Sequence, residues 1–282
     1  MQNIKNQITY HLNKFIFLLS VKFEYIFLRL YYLRKNHNLN HIIIQNRRIL
    51  NNINRFLEEK YYLNNDYGIQ KRIYDKIDLP ISNNVTYSDL LVYLYSKIFK
   101  DGMNYLEIGC SVLKNFIQVK SNVANSNLVC FDINPINPTL EELFFEEKNN
   151  NSTSYFQGDV LNRSDIDSFK SENDLKFNII FSDALHNEEG VYSEYINIYK
   201  NMLDEKFIIY FDDLEFDGVM NAAHKIKEDL SSYMENINFF QFKVGGWIGE
   251  HEKTHLNGII SNVNILEIFL EDNIDIYKLR NL

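Results

Sequence analysis

Short apolar or aromatic runs that each end beside a carboxylate constrain this chain more than any other feature. Asp132 follows Leu128-Val-Cys-Phe131, Asp159 follows Tyr155-Phe-Gln-Gly158, and Asp183 follows Phe177-Asn-Ile-Ile-Phe-Ser182. Asp212 and Asp213 follow Phe207-Ile-Ile-Tyr-Phe211, and an earlier run, Met103-Asn-Tyr-Leu-Glu-Ile108, ends at Gly109. Runs of this length suit buried strands. Glu107 to Asp132 spans 25 residues, Asp132 to Asp159 spans 27, and Asp159 to Asp183 spans 24. Each interval holds one strand, one helix and their loops. Such alternation predicts right-handed crossovers and a mostly parallel sheet. In an open parallel sheet the strands' carboxyl ends share one edge, and ligands bind there. The acids are therefore expected to converge on one crevice, a nucleotide-type cofactor site.

In detail, the pattern predicts strands near 103–108, 127–131, 153–157, 177–182, 206–211, 238–243 and 257–261. Helices are expected over 113–124, 139–148, 164–171, 188–203 and 217–235. The last two strands have no helix between them, which predicts an antiparallel pair at one edge. The expected fold is thus α/β, a Rossmann-like seven-stranded sheet with an antiparallel edge strand. Two segments are expected: a helical N-terminal extension over 1–84 and the α/β domain over 85–282. All ten glycines and all three prolines lie after residue 66, so the first part lacks turn formers and reads as helical. Residues 87–99 read as an amphipathic helix, capped by Thr86 or Ser88.

Charge follows the same division. Residues 1–66 carry ten Lys/Arg against four Asp/Glu, a balance of +6, while the remainder carries 19 against 34, a balance of −15. Residues 15–33 are apolar and aromatic but hold Lys22, Glu24 and Arg29. A central basic residue costs about 2.5–3.5 kcal/mol on insertion. Three arrangements stay open for this stretch: a span, a basic aromatic helix lying on a membrane surface through residues 9–35, or a helix packed on the domain or on a second copy. Nucleic acid is not an expected partner, because the main domain is acidic and no fingerprint is present. The two cysteines, Cys110 and Cys130, give neither a disulfide framework nor zinc spacing, so a reduced cytoplasmic setting is the expectation.

Three stretches resemble the class I S-adenosylmethionine-dependent methyltransferases: Tyr105-Leu-Glu-Ile-Gly109, Phe181-Ser-Asp-Ala-Leu-His-Asn-Glu-Glu-Gly190 and Ile209-Tyr-Phe-Asp-Asp213. The likeness covers about residues 85–262 and is nearest to the small-molecule and sugar O-methyltransferases related to macrocin O-methyltransferase. A dinucleotide-binding domain would want Gly-x-Gly-x-x-Gly after the first strand. Here Gly109 is followed by Cys-Ser-Val-Leu113 with no further glycine. S-adenosylmethionine has no pyrophosphate, so fewer glycines are needed. Leu113 departs from the family's run of small residues, and its isobutyl group could crowd the methionine portion of the cofactor.

The resemblance implies S-adenosylmethionine as cofactor, held by Glu107, Gly109, Ser111, Asp132 and Asp159. A carboxylate ending the second strand can accept both hydroxyls of a ribose diol. For Asp132 the alternative is a cap on the segment entering Pro135, and for Asp159 a loop or capping role. Asp183, Asp212 and Asp213 are expected to bind Mg²⁺ or a similar divalent cation, because three acids this close repel without compensation. His186 is the expected general base, with Asp183 as the alternative. His251 and His255, with Trp247 and Gly245-Gly246, belong to a loop that could overhang the acceptor. The implied activity is methyl transfer to a sugar or other hydroxyl-bearing small molecule. The competing reading is a non-catalytic methyltransferase-like scaffold, and a nicotinamide-dependent enzyme is disfavoured by the missing glycines.

Overall fold

The computed structural model describes residues 37–57, 85–245 and 254–272. The stretch 15–33, the membrane contact through residues 9–35, Gly246, Trp247 and His251 lie outside the described residues. Among the described residues, no helix is long and apolar enough to cross a membrane.

Seven strands form one sheet: β1 (Asn104–Ile108), β2 (Asn127–Asp132), β3 (Ser152–Gln157), β4 (Phe177–Ser182), β5 (Leu203–Phe211), β6 (Asn238–Gly245) and β7 (Thr254–Ser261). Their order is β3-β2-β1-β4-β5-β7-β6. The first five strands are mutually parallel, and β7 runs antiparallel to both β5 and β6. This is a Rossmann-like sheet. The expected antiparallel pair stands at one edge, but its later strand takes the inner place beside β5. The order of winding reverses between β1 and β4, so the crevice beyond their carboxyl ends is the site the topology favours.

Between the strands lie α3 (Lys114–Asn122), α4 (Glu141–Phe145), α5 (Arg163–Glu172), α6 (Glu188–Glu194) and α7 (Asp217–Ser231). They are preceded by α1 (His37–Leu57) and α2 (Tyr87–Ile98) and followed by α8 (Ile265–Glu271). A π-helical turn, Tyr195–Tyr199, and a 3₁₀ turn, Lys200–Met202, continue α6 into β5.

Strand side chains alternate between the two faces of the sheet. Tyr105, Ile179, Phe181 and Tyr210 join a core with α1, α2, α3 and α8. Leu106, Ile108, Ile180, Ile209 and Phe211 join a second core with α5, α6 and α7. The central strands are buried on both sides, which is why they read as unbroken apolar runs.

Helix α1 buries Leu39, Ile42, Ile43, Leu50, Ile53 and Leu57, the spacing of one helical face. Its polar anchor is Arg47, whose guanidinium donates to both carboxylate oxygens of Asp89 at 3.2 and 2.7 Å. Asp89 is fully buried and also accepts from Asn46 Nδ2 and from the Thr86 amide and hydroxyl. One carboxylate thus caps α2, with Thr86 in the expected place, and ties α1 to α2. The amide of Gly245 bonds to Val85 O at 2.7 Å, so the entry to α2 is also joined to β6.

Candidate functional site

The turn after β1 approaches the end of β4 very closely. A Cβ on Gly109 would lie 2.6 Å from Asp183 O, and the Gly109 φ is +86°, so both space and backbone require glycine. Gly109 N donates to Phe131 O at 2.9 Å, and Asp183 N donates to Ile108 O at 2.9 Å. These bonds bring the ends of β1, β2 and β4 together. Ser111 and Leu113 are left-handed, with φ of 46° and 60°, a conformation costing about 1–2 kcal/mol for an L-residue.

Leu113 is fully buried and belongs to the core beneath α3.

Asp132 stands where the ribose acceptor was expected, 6% exposed. One oxygen accepts from Ser111 N at 2.8 Å, and the other accepts from Asn134 N at 2.8 Å and Asn134 Nδ2 at 3.1 Å. The carboxylate therefore locks the β1 loop to the β2 loop. Beside it Ile133 is 62% exposed, an apolar side chain just beyond the carboxyl end of β2. Glu107 is buried inside the protein, where it accepts from Tyr105 Oη at 2.6 Å and Asn115 Nδ2 at 2.9 Å. Burial pushes its carboxyl up to about 8. It braces the start of α3 beneath the loop. Asp159 accepts from Leu161 N at 2.8 Å, and its own amide bonds Asp165. These contacts give Asp159 a turn-forming role.

The acids at the ends of β4 and β5 do not form one three-carboxylate set. Two sets of potential cation ligands share Asp213: Asp183 with His186 and Asp213, and Asp212 with Asp213 and His255. Asp213 adopts φ 55°, and its amide donates to Asp212 Oδ1 at 2.9 Å. Its Oδ2 accepts from His186 Nε2 at 3.0 Å and its Oδ1 accepts from His255 Nδ1 at 2.8 Å. Burial alone would raise the Asp213 carboxyl, but bonds from the two imidazoles hold it well below the usual range. Asp213 in turn raises His255. Asp212 is 5% exposed and bonded by Asn257 Nδ2. Burial and the adjacent Asp213 push its carboxyl up to about 7.

Several contacts fix the histidines. The His186 ring stands edge-on to Phe216 at 5.0 Å. A Cβ on Gly218 would lie 2.6 Å from His186 O, so the first turn of α7 can press against this segment only with glycine there. Leu214 N bonds Leu256 O at 2.7 Å, and Leu256 N bonds Glu215 Oε2 at 2.9 Å. Together these lash the loop after β5 to β7 and carry His255 to Asp213. Tyr87, at the start of α2, packs its ring 5.1 Å from that of Phe181 and is 4% exposed. Burial first, then the nearby Asp212 and Asp183, raise its phenol. His255 was weighed in the sequence only as part of an overhanging loop, and Tyr87 only as part of a helix.

No protein-family model matches the chain, and no curated protein matches it. Similar solved structures include the O-methyltransferase TomG from Streptomyces achromogenes, in complex with S-adenosylmethionine. It is 16% identical over 72% of this chain and 91% of its own, with a TM-score of 0.48. The O-methyltransferase from Bacillus cereus, in complex with S-adenosylhomocysteine, is 13% identical over 70% and 91%, with a TM-score of 0.46. Spermidine synthase from Thermotoga maritima is 11% identical over 63% and 59%, with a TM-score of 0.41. At such identities and scores, what these proteins bind or make carries no argument about this chain.

Proposed function

We propose that this protein is an S-adenosylmethionine-dependent O-methyltransferase acting on a sugar or other hydroxyl-bearing small molecule. The observation that carries the reading is the Asp213–His186 pair, set at the strand ends that the topology makes a crevice. Asp213 is held as a carboxylate, so His186 Nε2 donates to it and the ring is fixed in orientation. An imidazole oriented in this way is suited to removing a hydroxyl proton near neutral pH. The His186 side chain is 42% exposed, which allows the proton to pass on to water.

The cofactor's sulfonium, when bound, supplies a methyl group already activated for direct transfer. The residues present fit such a group. Asp132 has oxygen lone pairs beyond those its three donors use, and the exposed Ile133 offers an apolar wall for a flat base. Ser111, Gly109 and the bracing Glu107 shape the loop between them. Asp183, three residues before His186, lines the same crevice and can orient an acceptor hydroxyl.

The acids also fit a divalent cation. Among the described residues no Lys or Arg pairs with Asp212 or Asp213, and the buried Asp212 carries the strain as a raised carboxyl. A cation held there would lower the acceptor hydroxyl's pKa.

One observation favours a second reading, a non-catalytic module: both oxygens of Asp132 already serve the chain's own amides. Calorimetric titration with S-adenosylhomocysteine, on wild type and Asp132→Ala, separates the two. Micromolar binding that the variant loses supports the enzyme. No binding at millimolar ligand, with or without added Mg²⁺, refutes it.

A further inference from the structure

Tyr87 brings to the acidic end of the crevice a polar atom that the chain itself does not use. Its ring belongs to the core between α2 and the sheet and is 4% exposed. A phenylalanine ring would fill the same place, so packing gives no reason for the hydroxyl. Among the described residues the phenol makes no hydrogen bond; burial first, then the carboxylates of Asp212, Asp183, Glu107 and Asp213, raise it. Three of these four acids follow β4 and β5, which places the phenol at the carboxyl ends of those strands. The exposure that remains to the residue reaches the hydroxyl oxygen. A buried donor without a protein partner calls for a water or a ligand to complete it. The position is also rigid. Asp89 accepts from the Thr86 amide and hydroxyl at the start of α2, Thr86 bridges to Gly245, and the Tyr87 ring rests 5.1 Å from that of Phe181, two residues before Asp183. A donor fixed in this way costs little further ordering when a ligand arrives.

We infer that Tyr87 binds the methyl acceptor: its hydroxyl donates a hydrogen bond to an uncharged oxygen of that molecule and makes the site favour neutral hydroxyl compounds over their anionic counterparts. The inference deepens the proposed function and rests on it for what becomes of the bound molecule, but not for whether it binds. A phenol beside carboxylates keeps its proton and acts as a neutral donor. A sugar hydroxyl can accept from it and in turn donate to a neighbouring carboxylate, which satisfies both groups. An acceptor with a carboxylate or phosphate in that place would instead set a like charge near Asp213, which is held ionised, and like charges at such range repel. An acceptor with only hydrocarbon there would leave the phenol unpaired, and a site built to bond an oxygen rejects the analogue that lacks it.

The test uses full-length protein carrying ¹³C at the phenol carbon of its tyrosines. The Tyr87 signal, one of 19, is identified by its absence from Tyr87→Phe, a variant that keeps the ring against Phe181. The probes are methyl glucoside, methyl galactoside and methyl mannoside, each added up to half-molar beside S-adenosylhomocysteine, with and without millimolar Mg²⁺. At least one neutral sugar should shift the Tyr87 signal saturably. By the sugar's own saturation-transfer signal, Tyr87→Phe should bind that sugar about three- to tenfold more weakly. The uronic acid of the same sugar should bind wild type at least about tenfold more weakly than the sugar itself. The urea midpoint and the affinity for S-adenosylhomocysteine should not change in Tyr87→Phe; a merely structural hydroxyl would move the midpoint and leave sugar affinity alone. A Tyr87 signal that no neutral sugar moves in either condition overturns the inference and leaves a bound water as the partner of the phenol. Equal sugar affinity in Tyr87→Phe, or equal affinity for the uronic acid, also overturns it. Titrating S-adenosylhomocysteine alone reads the enzyme proposal separately. Its binding without a sugar response at Tyr87 sinks only this inference, and a sugar response without its binding sinks only the methyltransferase.

Discussion

Glu194 sits at the end of α6 with its carboxyl fully buried beneath β4. One oxygen accepts from Ser182 Oγ at 2.7 Å, and the other has no hydrogen-bond partner among the described residues. Burial pushes its pKa from 4.5 up to about 8, against a smaller opposing effect of Ser182. The folded protein therefore keeps a proton that the unfolded chain releases above its ordinary carboxyl range. The stabilisation from this proton is fully present below about pH 4.5 and is lost as pH rises through about 8. Between pH 5 and pH 9 the loss from Glu194 alone comes to about 4 kcal/mol, at about 1.4 kcal/mol per pH unit. Glutamine has the same shape, keeps an acceptor for Ser182 and never ionises. In urea denaturation, Glu194→Gln should match wild type within about 1 kcal/mol at pH 5 and exceed it by several kcal/mol at pH 9. Glu107, also raised to about 8, gives both proteins a common downward slope, so the informative quantity is their difference. A difference that stays constant from pH 5 to pH 9, or that moves toward wild type as pH rises, would refute the reasoning.

Arg47→Met should cost about 3–5 kcal/mol, because it leaves the fully buried Asp89 without its counter-charge; urea midpoints check this, and a loss below about 1 kcal/mol would mean α1 is not held through that pair. Asp132→Ala should weaken S-adenosylhomocysteine at least about tenfold, through a lost acceptor and a loosened β1 loop, as calorimetry would show; unchanged affinity would move the ribose elsewhere. Once an acceptor is found, His186→Gln should lower kcat by about 10²–10⁴ while leaving cofactor affinity intact; equal kcat in the variant would pass the base role to Asp183.

The central strands were legible because they are buried on both faces. Runs such as Phe207–Phe211 admit no polar alternation, and the glycine at 109 and the carboxylates mark where they end. The landmark acids followed from the same logic. What stayed hidden depends on direction or on distant pairing. The residue type of Leu113 says nothing of its left-handed backbone or of its burial in the core. Asp212 and Asp213 read as equivalent neighbours. Yet one is buried and bonded by Asn257, while the other is partly exposed and bonded by His186 and His255. His255 lies 42 residues from Asp213, and only the insertion of β7 beside β5 makes them neighbours. Glu194 carried no warning either, since a glutamate in a helix usually faces water.

The inner position of β7 has a consequence for biosynthesis. Strand β6 is made before β7 but can join the sheet only through it. Until residues 254–261 leave the ribosome, the open edge of β5 and the inner edge of β6 remain without their native partner, an interval in which strand-to-strand association between nascent chains is a hazard. The bonds from His255 to Asp213 and from Asn257 to Asp212 close in the same step, so the sheet edge and the acidic end of the crevice mature together.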